Sequence, residues 1–278
     1  MSGRIEALRQ EYHRELAREV LRQNADGIPN NADKGSNPSK RIARGIVENI
    51  GLPIIRGELS GQTAGRQFEG ATSRFLRDAF GLFSHLRPGE WEFSLGGDIS
   101  DYEQYQHLAD IRRLVKEHEE LRTVFEDYIV KPDIVICRDP VSDSKINENE
   151  ALLSDDTVAA YTPLRRANSR AKILHASVSC KWTIRSDRSQ NARTEGLNLV
   201  RNRKGKTPHI VVVTGEPLPG RIASIAYGTG DIDCIYHFAL RELKAAVTDS
   251  DSDGELLDTL VTGRRLRDIS DLPFDLAT

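Results

Sequence analysis

Ile173-Leu174-His175-Ala176-Ser177-Val178-Ser179-Cys180-Lys181-Trp182 runs directly into Thr183-Ile184-Arg185-Ser186-Asp187-Arg188 and on to Arg193-Thr194-Glu195. Period-2 alternation predicts a strand over 173–182. It places His175, Ser177, Ser179 and Lys181 on one face, and Leu174, Ala176, Val178, Cys180 and Trp182 on the other. Ser186 or Asp187 is suited to cap the next helix, which should end near Gly205. His209–Thr214 then reads as a buried strand around Ile210-Val211-Val212-Val213. A strand, a turn rich in charge, a helix and a second strand are the unit from which the fold is built.

Outward from that unit the pattern continues. Ile5, Leu8, Tyr12, Leu16 and Val20 predict an amphipathic helix over about 3–23. Residues 24–39 are polar, rich in Gly, Pro and Asn, and read as a loop or arm. Ser39 should cap a helix to about Ile50, and a loop over 57–65 should precede a helix over about 66–83. Residues 101–126 read as mostly helical, Ile134-Val135-Ile136 as a short strand, and 139–170 as irregular. Further helices are expected near 218–226, 236–247 and 254–262. Strands alternating with helices predict an α/β fold, a mixed central β-sheet flanked by helices on both faces. With no internal repeat and no linker, residues 1–278 are expected to form a single domain.

Composition narrows the class. The apolar and charged fractions, 38% and 29%, are those of a globular chain. No apolar run approaches a membrane span, and the N-terminus lacks the apolar core of a secretory signal. Cys137, Cys180 and Cys234 are widely spaced, which predicts reduced thiols in a cytoplasm and no zinc site. Net charge is −3, yet residues 162–207 hold twelve Lys/Arg against Asp187 and Glu195. That segment is thus +10 and the remainder −13. The expectation is a basic stripe that faces phosphates; a solvated charged helix is the competing reading.

Cleaving a phosphodiester needs an activated water and a sink for negative charge. Carboxylate-held Mg²⁺ supplies both, and a nearby lysine assists. Asp133, after Pro132 at a strand start, is the first candidate ligand. Lys181 is the second member, on a strand that otherwise reads as half buried. The acid expected two residues earlier is missing, and Ser179 stands there. Glu195 could replace it. The chain advances roughly 13 Å from Lys181 to Arg185 at strand rise. It can return about 10 Å by Glu195 if the helix packs back along the strand. A capping acid and a snorkelling lysine are the bland alternative for Asp133 and Lys181. Arg185, Asp187 and Arg188 suit base reading, since arginine pairs with guanine O6 and N7 and an acid accepts from cytosine N4. A local ion pair with a helix cap is the alternative there.

Pro132-Asp133, Ser179-x-Lys181, Arg193-x-Glu195 and Arg185-Ser186-Asp187-Arg188 together resemble the NgoMIV-like type IIF restriction endonucleases. These form a CCGG-recognising branch of the PD-(D/E)xK nucleases, with the second acid moved onto a helix. The resemblance extends through Asn31-Ala32-Asp33, Gly61-Gln62-Thr63, Phe68-Glu69 and Asp268-Ile269-Ser270-Asp271-Leu272-Pro273. It implies a restriction-endonuclease-like fold and Mg²⁺-dependent cleavage of double-stranded DNA. Asp133, Glu195 and the Cys180 carbonyl would hold metal. Lys181 would act on the water, with Glu69 in support and Ser179 completing the catalytic motif. Arg185, Asp187 and Arg188 would read the inner CCGG, Asp33 and Arg221 the outer pair, and Gln62 the minor groove. The implied target is GCCGGC, cut after the first G, by a homotetramer on two sites. The apolar helix faces in 1–23 and 236–262 could join subunits. Lys34 departs from the pattern as an extra residue beside Asp33.

Two other readings compete: an inactive DNA-binding relative, and a nuclease directed by DNA shape. Asp249-x-Asp251-x-Asp253-Gly254 begins like a calcium loop, but its twelfth position is Leu260. Gly228-x-Gly230 lacks the third glycine of a dinucleotide site.

Overall fold

The computed structural model describes residues 3–118, 120–121, 123, 130–228, 230–247 and 252–278, without the side chains of 186–190 and 252. Its centre is a six-stranded mixed sheet in chain order: β3 (Trp91–Leu95), β4 (Ile134–Arg138), β5 (Ile173–Lys181), β6 (His209–Thr214), β7 (Cys234–His237) and β8 (Leu266–Asp268). The pairs β3–β4 and β4–β5 are antiparallel, and the rest are parallel. β1 (Arg22–Gln23) and β2 (Ile55–Arg56) form a separate parallel pair. The expected mixed α/β sheet is present. β3, β7 and β8 add to it where no strand was expected. Cys234–His237 opens the segment read as a helix over 236–247, and a four-residue apolar run gives periodicity nothing to distinguish.

The flanking helices are α1 (Arg4–Glu19), α2 (Asn37–Ile50), α3 (Gly61–Gly81), α4 (Ala109–Glu117), α5 (Asp143–Ile146), α6 (Ser186–Asn202), α7 (Pro219–Ala226), α8 (Leu240–Ala246), α9 (Ser252–Thr262) and α10 (Leu272–Asp275). Three helix starts differ from expectation. Ser36, not Ser39, caps α2, while Ser39 turns inward and its Oγ accepts the Asp33 N–H at 2.8 Å. Ser60 caps α3 by accepting the Thr63 N–H at 3.1 Å, so Gly61-Gln62-Thr63 is a helical first turn. The cap of α6 is Arg185, in extended backbone, rather than Ser186 or Asp187. Asp253 and Gly254 lie in the first turn of α9; Asp249 and Asp251 fall outside the described residues.

The alternation read along β5 breaks at one point. Ile136 pairs with Ala176 and Cys137 with Leu174, so His175 is an extra residue in the ladder. Such a bulge puts neighbouring side chains on the same side. His175 therefore leaves the Lys181 face. Its ring lies 6.3 Å from Phe80 of α3, and Cys180 meets Thr72 of the same helix. α3 thus covers the Cys180 face. Across the sheet, Ile210, in register with Ser177, lies against Gly196 of α6. Helices cover both faces, and β5 is buried on both, with Ser179 and Lys181 only half so.

The apolar faces expected to join subunits lie in this chain's own core. Tyr12, Leu16, Val20, Leu243, Leu257 and Leu260 are all buried. Arg9 clamps the same region, donating from Nε to Asp268 at 2.8 Å and from Nη1 to Glu242 at 2.9 Å.

Candidate active site and neighbouring cleft

Asp133 sits just before β4, beside the end of β5. Its Oδ2 accepts from Cys180 N at 2.7 Å, from Lys181 Nζ at 3.0 Å and from Ser179 Oγ at 3.3 Å. The antiparallel pairing of β4 with β5 makes this inevitable, because Ile134 faces Val178. Lys181 is largely desolvated, which lowers its pKa, but the carboxylates of Asp133 and Glu195 outweigh this and hold the ammonium. Glu195 therefore stands within electrostatic reach of Lys181, as the return along α6 required. Burial pushes the Glu195 carboxyl up, with Lys181 opposing and Asp133 adding to the shift. Burial raises Glu69 as well, and Asp133 contributes. Three carboxyls, from the residue before β4, from α6 and from α3, thus crowd one lysine.

Two contacts set α6 in place, and sequence reading missed both. A Cβ on Gly196 would stand 2.4 Å from the Asp231 carbonyl oxygen, so only glycine permits this approach. Arg193 Nε donates to Asp231 Oδ2 at 2.7 Å. The available signal was the glycine immediately after Glu195.

The donor set suits a hard divalent cation. Burial and the neighbouring Asp133 charge push the Glu195 and Glu69 carboxyls up, a tension that a cation relieves. Among the described residues no group of three or more His, Cys, Asp or Glu could hold a metal. Two carboxylates and a backbone carbonyl, with water completing the shell, are nonetheless the usual ligands of Mg²⁺. The three cysteines are buried and free, consistent with the expected absence of disulfides.

Beside this cluster opens a cleft of about 1260 Å³, lined in part by Asn31, Asp33, Lys34, Gly61, Trp182, Arg185 and Arg221. Arg185 is exposed at the start of α6. Asp187 and Arg188 follow on the same helix, and their side chains lie outside the described residues. Asp33 and Arg221 form an ion pair. The Gly35 N–H and then Arg221 hold the Asp33 carboxyl below its ordinary value. Lys34 pairs with Glu58, another lining residue, at 3.6 Å. Gln62 is exposed on α3 beside Gly61, two turns before Glu69 on one helix face.

The basic stripe is partly paired within the chain, while Arg170, Arg185, Arg201, Lys204 and Lys206 are exposed. Arg165 pairs with Asp143 and Asp156, Arg166 with Glu90, Lys172 with Glu92, Lys181 with Asp133 and Arg193 with Asp231. Arg203 donates to the Val200 carbonyl at the end of α6. Acids distant in sequence fold against these cations, so charge counted along the chain overstates what meets phosphate.

Glu216, which sequence reading did not single out, lies fully buried behind the cleft. Its Oε2 accepts the Ile184 N–H at 2.8 Å and its Oε1 the Leu218 N–H at 3.2 Å. Burial pushes its carboxyl up to about 7.

Comparison with known proteins identifies the family. The family model for the NgoMIV restriction enzyme matches residues 12–278. The type II restriction enzyme NgoMIV of Neisseria gonorrhoeae is 46% identical over 275 residues, 96% of each chain. A solved structure of the type IIF restriction endonuclease Bse634I with cognate DNA aligns over 99% of this chain and 92% of its own, at 13% identity and a TM-score of 0.34. The chain belongs to the NgoMIV restriction enzyme family and is a type II restriction enzyme, a site-specific endonuclease of DNA.

Proposed function

We propose that this enzyme is a Mg²⁺-dependent endonuclease that cuts GCCGGC after the first G and leaves four-base 5′ overhangs. The observation that carries the active-site assignment is the convergence of Cys180 N, Lys181 Nζ and Ser179 Oγ on Asp133 Oδ2, with Glu195 and Glu69 in electrostatic reach. Asp133, Glu195 and the Cys180 carbonyl would hold the cation. When bound, the cation supplies a lowered pKa for water and a sink for phosphate charge. Lys181, held as an ammonium by Asp133 and Glu195, orients the attacking water and the scissile phosphate. Glu69 supports Asp133 from α3. Ser179 fixes the carboxylate of Asp133 in place of the missing acid.

Base reading falls to the cleft. Arg185, with Asp187 and Arg188 on the following turn, reads the inner CCGG; Asp33 and Arg221 read the outer pair; Gln62 reaches the minor groove. The Asp33–Arg221 pair supports the outer assignment, since an acid beside an arginine matches cytosine N4 beside guanine O6 and N7. Residues 1–278 act as one domain in the cytoplasm, and the working form is a homotetramer on two sites.

One digestion tests the reading. Plasmid of known sequence is incubated with Mg²⁺ and the fragment ends are sequenced. Ends at GCCGGC with 5′-CCGG overhangs are expected; cleavage indifferent to sequence, or none, rejects it. A tetramer should also cut a two-site plasmid faster than a one-site plasmid. Equal rates, with a monomer in sedimentation, reject that part.

A further inference from the structure

Thr214, Gly215 and Glu216 follow one another at the end of β6, and each holds a different part of the functional region. Thr214 Oγ1 donates to the Lys181 carbonyl at 2.7 Å and accepts the Glu216 N–H at 3.1 Å. The Gly215 carbonyl accepts from Asn31 Nδ2 at 2.8 Å, two residues before Asp33. A Cβ at Gly215 would meet the Trp182 ring at 2.5 Å, so this approach also requires glycine. Glu216 Oε2 and Oε1 hold the N–H groups of Ile184 and Leu218. Ile184 directly precedes Arg185, and Leu218 caps α7, which carries Arg221. Arg221 Nη1 stands 3.9 Å from Glu216 Oε2. Below, His237 Nδ1 accepts the Ala239 N–H, so Nε2 carries the proton and donates to the Glu216 carbonyl at 3.2 Å.

A fully buried carboxyl is costly unless it is paired, and a neutral side chain could satisfy one of these N–H groups alone. What a carboxylate adds is two acceptors at a fixed spacing, one for each reading element. We propose that Thr214-Gly215-Glu216 is the joint that couples base reading to the cutting strand, with Glu216 as a specificity-determining positioning residue. It touches neither DNA nor metal. It fixes Arg185 relative to Arg221, while Thr214 passes that register to the Lys181 backbone. This rests on the base-reading assignment proposed above.

The test compares kcat/KM on the target with kcat/KM on sites substituted singly at an inner or at the outer pair. In Glu216→Gln an amide group replaces one acceptor. The preference for the target should fall at least tenfold at both inner and outer positions. Asp33→Asn should lower only the outer preference. A Gln variant that keeps both preferences, or loses only one, overturns the joint. Thr214→Val gives an independent arm: kcat on the target should fall tenfold or more with KM little changed, and Thr214→Ser should restore it. A Val variant that cuts like wild type overturns the link to Lys181. Should Glu216→Gln fail to fold, the Thr214 pair decides. Wild-type protein that cuts no defined sequence overturns the proposed function itself; sequence-specific wild type beside an unaltered Gln variant overturns the joint alone.

Discussion

Asp133 accepts three hydrogen bonds on one oxygen, so removing it does more than delete a ligand. Lys181, largely buried, loses its main counter-charge, and a buried donor left unmade costs about 1–3 kcal/mol. Asp133→Asn keeps an acceptor and the shape but not the charge. Cleavage by both Asp133→Ala and Asp133→Asn should fall at least about a thousandfold, roughly 4 kcal/mol of barrier. Gel-shift binding of the target in Ca²⁺ should persist in the Asn variant. Nicking at wild-type rate by either would remove Asp133 from the site. At this scale the sequence is informative wherever chemistry is unusual for its position. A lysine ending a buried strand and an acid after Pro132 both stand out, and the fold joins them. Glu216 does not stand out, because an acid after a strand reads as an exposed turn. Only the packing of Ile184 and Leu218 against it reveals burial. The basic stripe is only partly legible for the converse reason: the acids that pair some of its cations, such as Glu92 and Asp231, lie 80 and 38 residues away.

Helix α6 is placed by a contact that side-chain rotation cannot relieve. Gly196 faces the Asp231 backbone, so Gly196→Ala must shift the helix, and overpacking of this kind costs about 1–3 kcal/mol. Glu195 is the adjacent residue and must move with it. Cleavage should therefore fall at least tenfold while the variant stays folded by urea denaturation. Activity equal to wild type would mean that α6 does not position Glu195. Gly65→Ala in α3 is the control, with nothing within 4 Å of the added Cβ and no positive φ. It should stabilise by about 0.5–1 kcal/mol. Elements with long periodic patterns, such as α1 and β5, are legible in the sequence. The short strands β7 and β8 are not, since three or four residues carry no period. The β5 bulge is illegible too. It arises from pairing with β4, and it sends His175 to the α3 face while Ser179 and Lys181 keep theirs.

The whole molecule is held by joints between distant segments, and several involve groups that titrate. His237 is fully buried and neutral, with its pKa lowered to about 4 by burial; His175, against Leu276 O, is lowered to about 3 by burial. Desolvation lowers His13 and His209 as well. For a base depressed in the folded state, stabilisation is complete above the unfolded value, near 6.5, and is lost as pH falls toward the folded value. Asp268, although burial opposes ionisation, is held at about 2 by Arg9, so its stabilisation is lost only below the ordinary carboxylate range. Glu216 acts in the opposite sense, as do Glu195 and Glu69, which burial also raises. The raised value of Glu216, about 7, makes the fold relatively more stable below the unfolded carboxyl pKa and less so as pH rises to 7. The four depressed imidazoles outnumber these three carboxyls between pH 4 and 6.5, so the unfolded chain binds more protons there. Urea midpoints should therefore fall as pH is lowered from 7 to 5. In Glu216→Gln its share of the opposing contribution is absent, and the same acidification should remove more stability than in wild type. A midpoint that rises on acidification, or a Gln variant with a shallower slope than wild type, would mean that the carboxyl behind the cleft is not the buried acid described here.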